Sequence, residues 1–172
     1  MSALPVAVSV DEYLHTDYEP DCDYVDGELI ERNVGEKDHG KIQREVLLFL
    51  HQRRRELGIF VIQEQRIRVG ARRYRVPDIC VVFGPEPNEQ VFTQPPFLCI
   101  EILSPEDRMS RMQARIWDYL SFGVRYVWVI DPQSRRAWIY SNGLTQEATD
   151  GFLRTESPDI VVPMSELFGP QD

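Results

Sequence analysis

Cysteine and histidine are scarce in this chain of 172 residues, with three of each. Cys22, Cys80 and Cys99 are scattered and form no C-x-x-C pair. Neither a disulfide framework nor a zinc knuckle is supported. No apolar run approaches the ~20 residues of a membrane span. Met1 to Val10 carries no basic segment followed by an apolar core, so a signal peptide is not expected and the cytoplasm is the default compartment. A Gly-x-Ser-x-Gly element and a glycine-rich phosphate loop are both missing, which disfavours a nucleophilic hydrolase and an NTPase. Positive charge is also short: Lys and Arg total 19 against 28 Asp and Glu, a formal net charge of −9. Proteins that grip nucleic acid over their whole surface are usually basic. Any phosphate binding here must be local, or assisted by a metal ion among clustered carboxylates.

What is present describes one globular domain spanning residues 1–172. Hydrophobic residues make up 42% of the chain, and a chain of this size buries roughly 70% of its unfolded surface. Ser9 followed by Asp11 and Glu12 reads as a capped helix start, giving a short helix over 11–16. Asp26-Gly27 is a hairpin turn signal within 23–32. Ile42, Val46, Leu47, Phe49 and Leu50 recur at helical spacing within 39–57, with Gly58 as the stop. Two strands follow, over 59–69 and 74–83, separated by the turn Gly70-Ala71-Arg72. A proline-rich loop over 84–96 leads to the almost continuous apolar run 97–103, the pattern of a central strand covered on both faces. Ser104-Pro105-Glu106-Asp107 reads as the cap and first turn of a helix that runs to Phe122 and stops at Gly123. Residues 126–130 form a further buried strand, ended by Asp131-Pro132 and paired with 137–140. Helical crossovers beside hairpins define an α/β fold with a mixed sheet.

Two acids lie in strands that are otherwise apolar. Asp78 sits among Val76, Ile79, Cys80 and Val81, and Glu101 among Ile100, Ile102 and Leu103. Carboxylates are rarely buried without a partner. One neutraliser is a divalent cation, and oxygen ligands favour Mg²⁺ or Mn²⁺ over zinc. The alternative is that Asp78 caps a strand start after Pro77 while Glu101 pairs with an arginine. If the two acids repel one another, removing the charge of Asp78 relieves that repulsion.

Asp23-Tyr24-Val25-Asp26-Gly27-Glu28-Leu29, His39 at a helix start, Val76-Pro77-Asp78-Ile79, Glu101-Ile102-Leu103-Ser104-Pro105, Tyr119, and the run Gly123 to Pro132 occur in that order. This ordered set resembles the Uma-type family of restriction-endonuclease-like proteins in the PD-(D/E)xK nuclease superfamily, over about Ser9 to Phe168. The resemblance implies a restriction-endonuclease-like α/β fold: a mixed central β-sheet flanked by helices, with an N-terminal hairpin. It implies Mg²⁺-dependent hydrolysis of phosphodiester bonds in DNA. Asp78, Glu101 and the backbone carbonyl of Ile102 would hold the ion. The superfamily lysine usually lies two residues after the second acid; Leu103 stands there instead. The family places its lysine on the following helix, at the position of Arg115. Arginine keeps the positive charge and can fork around a phosphate or a carboxylate, but it does not release a proton near neutral pH.

Arg111 lies one helical turn before Arg115 and shares its face. Glu28 on the hairpin and His39 at the helix start are accessory candidates. The two arginines could instead clamp Asp78 or Glu101 directly and replace the metal. Three functions follow: a Mg²⁺-dependent DNA endonuclease, a catalytically impaired nuclease-fold module that binds nucleic acid or a protein, and a purely structural protein whose aromatics pack a core or dimer. The resemblance also implies a homodimer.

Overall fold

In the computed structural model, residues 7–33 and 35–169 are described. The first helix, α1 (Val10–Leu14), is shorter than its sequence pattern but begins as expected, with Ser9 Oγ accepting the Glu12 N–H at 3.1 Å. Strands β1 (Cys22–Val25) and β2 (Glu28–Glu31) form an antiparallel hairpin. Asp26 and Gly27 both take positive φ, 52° and 103°, as a tight two-residue turn requires. Helix α2 (Lys37–Gln52) buries Ile42, Val46 and Leu50. The helix expected to reach residue 57 is interrupted at Arg53, and a short α3 (Arg54–Leu57) ends at Gly58 in the left-handed region, φ 64°.

The two strands expected next are each divided, and the divisions create the site. Residues 59–69 form β3 (Ile59–Gln63) and β4 (Ile67–Gly70), with Glu64 at φ 52° between them. Residues 74–83 form β5 (Arg73–Arg75) and β6 (Ile79–Phe83), separated by Val76-Pro77-Asp78. Pro77 has no N–H for a sheet ladder, so pairing is interrupted where it stands. β4 and β5 join the hairpin in a four-stranded sheet of order β2-β1-β5-β4. β3 and β6 belong to the main sheet.

β7 (Leu98–Ile102) is buried at every position, as a central strand should be. The following helix, α4 (Met109–Phe122), starts later than Ser104. Asp107 Oδ2 accepts the Ser104 N–H at 2.6 Å and the Asp107 N–H donates to the Ser104 carbonyl at 2.9 Å, closing a separate turn first. α4 stops at Gly123, φ 112°. The chain finishes with β8 (Tyr126–Asp131), β9 (Arg136–Ser141), β10 (Leu144–Glu147), β11 (Phe152–Arg154), β12 (Val161–Pro163) and α5 (Met164–Phe168).

The main sheet has six strands in the order β10-β9-β8-β7-β6-β3. It is mixed: β7 and β8 are parallel across the α4 crossover, and the other pairs are antiparallel. One face packs on α2 and α5 through Val46, Leu50, Ile100, Trp128 and Leu167. The opposite face packs on α4 through Cys80, Cys99, Met112, Ile116 and Tyr119. Side chains alternate along a strand, so Glu101 lies between Ile100 and Ile102 of the first core and points with Cys99 toward α4.

Candidate active site

Asp78 stands at the crossing from the small sheet to the main one. It is 3% exposed, and three groups face its carboxylate. Arg32, just past the end of β2, donates from Nη2 to Oδ1 at 2.5 Å. The backbone N–H of Ile102 donates to Oδ2 at 2.7 Å. His39, in the first turn of α2, brings Nε2 to 3.3 Å from Oδ2. The backbone is pinned too: the Asp78 carbonyl accepts from Gln43 Nε2 and from the Glu64 N–H, both at 3.1 Å. The left-handed backbone at Glu64 thus turns the chain so that its N–H meets Asp78.

Glu101 is 1% exposed, on the next strand. Tyr119, from α4, donates its hydroxyl to Oε1 at 2.6 Å. Arg115, one helical turn earlier on the same face, brings Nη1 to 3.0 Å from Oε2. That contact is an ion pair with poor hydrogen-bond alignment, since Oε2 is buried without a hydrogen-bond partner. Arg115 continues outward: its Nε lies 3.2 Å from Asp23 Oδ2, and its Nη2 donates to the Val76 carbonyl at 3.0 Å. Asp23, on β1, also accepts from Arg75 Nη1 at 2.9 Å and from the Val76 N–H at 2.9 Å. Arg75 in turn pairs with Asp118 of α4, which also accepts from Arg73. A chain of alternating charge therefore runs from the main sheet through α4 to the small sheet.

Burial and pairing pull the two acids apart. Burial raises the Asp78 carboxyl, but the His39 hydrogen bond and the Arg32 charge outweigh it and hold the group below its ordinary range. Burial dominates at Glu101 and pushes it up to about 7, against the pull of Arg115 and with the Asp78 charge adding to the rise. Burial tends to lower His39, yet its hydrogen bond and charge contact with Asp78 leave it raised. Arg115 is driven well above its normal value: Asp23 and Glu101 overcome the desolvation. An ionised Asp78 beside a carboxyl that holds its proton until near neutrality is the kind of separation found at functional sites.

The residues picked from the sequence fall into two groups. Asp78, Glu101, Ile102, Arg115 and His39 converge. Arg111 is exposed and lines a small cavity of about 80 Å³ beside Arg115, Arg32 and Asp23. Glu28 lies exposed at the start of β2, opposite Val25, and touches none of these groups. Arg32, farther along the same strand's exit, is the hairpin residue that reaches Asp78.

Sequence reasoning passed over Arg32, Asp23, Gln43 and the role of Tyr119. Asp23 carried a signal of the same kind as Asp78, an acid flanked by Cys22, Tyr24 and Val25. Tyr119 lies four residues after Arg115, on the same helical face. Arg32 carried none, because its position depends on how the hairpin exits.

Mg²⁺ characteristically takes one or two carboxylates, with waters and substrate phosphates completing its shell. The carboxylate number fits that pattern: Asp78 stands just before β6 and Glu101 lies in the neighbouring β7, with Oε2 in an ion pair but without a hydrogen bond. No group of three His, Cys, Asp or Glu residues suited to a metal occurs among the described residues. Asp78 and Glu101 offer two carboxylates, each already paired with an arginine.

The mixed sheet, its flanking helices and the hairpin make a nuclease-like α/β fold. In structure the chain is similar to a putative nuclease belonging to DUF820 from Anabaena variabilis ATCC 29413, known from a crystal structure. The two are 23% identical, with a TM-score of 0.82 over 94% of this chain and 97% of that one. No curated protein matches the chain. The family described as Uma2, putative restriction endonuclease, matches residues 10–166. The chain belongs to that family.

Proposed function

We propose that this chain is a Mg²⁺- or Mn²⁺-dependent DNA endonuclease working at the Asp78–Glu101 site. The observation that carries this reading is a pair of buried carboxylates, one just before β6 and one in the neighbouring β7, with Arg32, His39 and Arg115 around them. A wholly structural core would more cheaply hold apolar residues at both positions. Asp78, Glu101 and the Ile102 carbonyl are the groups that would hold the ion. When bound, the ion supplies Lewis-acid charge at the phosphate and lowers the pKa of water.

The protein's own groups act around that centre. Asp78, kept ionised by His39 and Arg32, supplies fixed negative charge. Arg115, anchored on Asp23, presents charge toward the scissile phosphate and stabilises the negative charge that builds there. Glu101, once ionised near neutral pH, is able to accept a proton. Tyr119 fixes the orientation of Glu101. The same reading takes residues 1–172 as one cytoplasmic domain that works as a homodimer, one copy for each DNA strand. Its test is incubation of duplex DNA with the protein and Mg²⁺ or Mn²⁺, beside D78N and a chelated control. Cleavage lost in both controls supports it; no cleavage by the wild type, or equal cleavage by D78N, refutes it.

A second reading rests on Arg115. It stands where the family resemblance places a lysine, and it is already paired with Glu101 and Asp23. A site closed in this way describes a catalytically impaired nuclease fold that acts as a nucleic-acid-binding or protein-interaction module. DNA binding that weakens with salt, without cleavage, would favour it.

A further inference from the structure

Both acids already have cationic partners before any ligand arrives. Asp78 faces Arg32 and His39, and Glu101 faces Arg115, while Asp23, Asp26 and Asp118 share Arg73, Arg75 and Arg115. A dication entering alone meets carboxylates that are already paired. It also meets a guanidinium already seated on the acid it needs.

The two inner arginines are not held alike. Arg115 touches Asp23, Glu101 and the Val76 carbonyl. Arg32 has one charged partner among the described residues, Asp78. Its side chain is 13% exposed and lies between two openings. One is the small cavity beside Arg111 and Arg115, and the other is the wide cleft floored by Asp78 and Gln43. Its backbone N–H is tied to the Asp21 carbonyl, so the side chain can swing while its root stays fixed. A phosphodiester offers a guanidinium a bidentate partner as good as a carboxylate. It also brings negative charge that a divalent ion can share.

We propose that Arg32 is a latch on Asp78, released by a nucleic-acid phosphate, so that divalent-ion binding here is coupled to phosphate binding. The inference rests on the metal site assigned above and adds the order in which its ligands assemble. Coupling of this kind is reciprocal: whatever the phosphate adds to ion affinity, the ion adds to phosphate affinity.

The test is an electron-paramagnetic-resonance titration of Mn²⁺ into the wild-type chain, with and without a short phosphorothioate duplex. The duplex-only signal is subtracted, and R32Q, R32K and D78N are titrated in parallel. In the wild type the duplex is expected to tighten Mn²⁺ binding by about 5- to 150-fold, the usual span of coupled sites. R32Q is expected to bind Mn²⁺ more tightly than the wild type without duplex and to gain less when duplex is added. R32K, which keeps a charge but not the fork, is expected to fall between them.

Equal Mn²⁺ affinity with and without duplex in the wild type would overturn the latch, and that comparison needs no variant to fold. If that binding is nonetheless lost in D78N, the metal site stands and the latch alone fails. Absence of Mn²⁺ binding under every condition would remove both. Thermal melts of the variants separate a released latch from a damaged fold.

Discussion

Asp78 accepts the backbone N–H of Ile102 at 2.7 Å, so the first acid is fastened to the residue that follows the second. The two strands cannot slide without tearing this bond. The sequence suggested that neutralising Asp78 relieves repulsion between acids. The structure gives Asp78 three donors of its own, and the expectation reverses. D78N is expected to destabilise the fold by about 3–5 kcal/mol, the cost of removing one partner from a buried ion pair. It is also expected to abolish ion binding. Denaturant melts and Mn²⁺ titration of the same sample check both.

Arg115 sets three separate nitrogens against three partners, two carboxylates as ion pairs and the Val76 carbonyl as a hydrogen-bond acceptor. A lysine presents a single nitrogen on a flexible stem. R115K is therefore expected to keep its contact with Glu101 and lose the reach to Asp23, lowering stability by about 1–3 kcal/mol. If arginine limits catalysis, cleavage per folded molecule rises in the same variant. A rate below that of the wild type, with the fold intact, would show that anchoring on Asp23 matters more than the ammonium.

Tyr119→Phe removes the hydroxyl that donates to Glu101 Oε1 at 2.6 Å and changes little else in shape. A buried carboxylate oxygen left without its donor costs about 1–3 kcal/mol. That hydrogen bond also favours the ionised acid. Y119F is expected to shift the acid limb of a pH–rate profile upward. A profile that keeps its position while the melting point falls would assign Tyr119 a purely structural role.

Glu101 also predicts a pH dependence of stability in the metal-free protein. Burial raises this carboxyl from 4.5 to about 7. The folded state then holds the proton more tightly than the unfolded state, so the stabilising contribution is complete below pH ~4.5 and is lost as pH rises through ~7. The melting-point advantage of the wild type over E101Q is expected to shrink across that window. An advantage that grows with pH would mean that Arg115, rather than desolvation, governs the group.

The central features were legible because they rest on local pattern. The almost continuous apolar run that holds Leu98–Ile102 has the pattern of a covered strand, and the spacing of Ile42, Val46 and Leu50 is that of an amphipathic helix. An acid within each apolar stretch, Asp78 just before β6 and Glu101 inside β7, singled out the two carboxylates for the same reason. The breaks at Glu64 and at Pro77 were less visible. Residues 59–69 and 74–83 look like continuous strands, and the handover to a second sheet is decided by tertiary pairing. Arg32 and Asp23 were missed as site residues because both enter it from that second sheet. Glu28 was chosen for its place on the hairpin, yet the turn at Asp26-Gly27 leaves it exposed opposite Val25.

That handover between sheets bears on how the molecule comes into being. The Arg32–Asp78 bond closes a loop of 46 residues, and the bond from Val76 to Asp23 closes one of 53. Contacts this distant carry a closure entropy that local structure must offset first. A chain that has formed its main sheet but not yet docked the hairpin holds both acids without their latch or their anchor. The complete site is therefore expected to form among the last parts of the fold. Hydrogen exchange at Val76 and at the hairpin would report its assembly and its loss before the core itself opens.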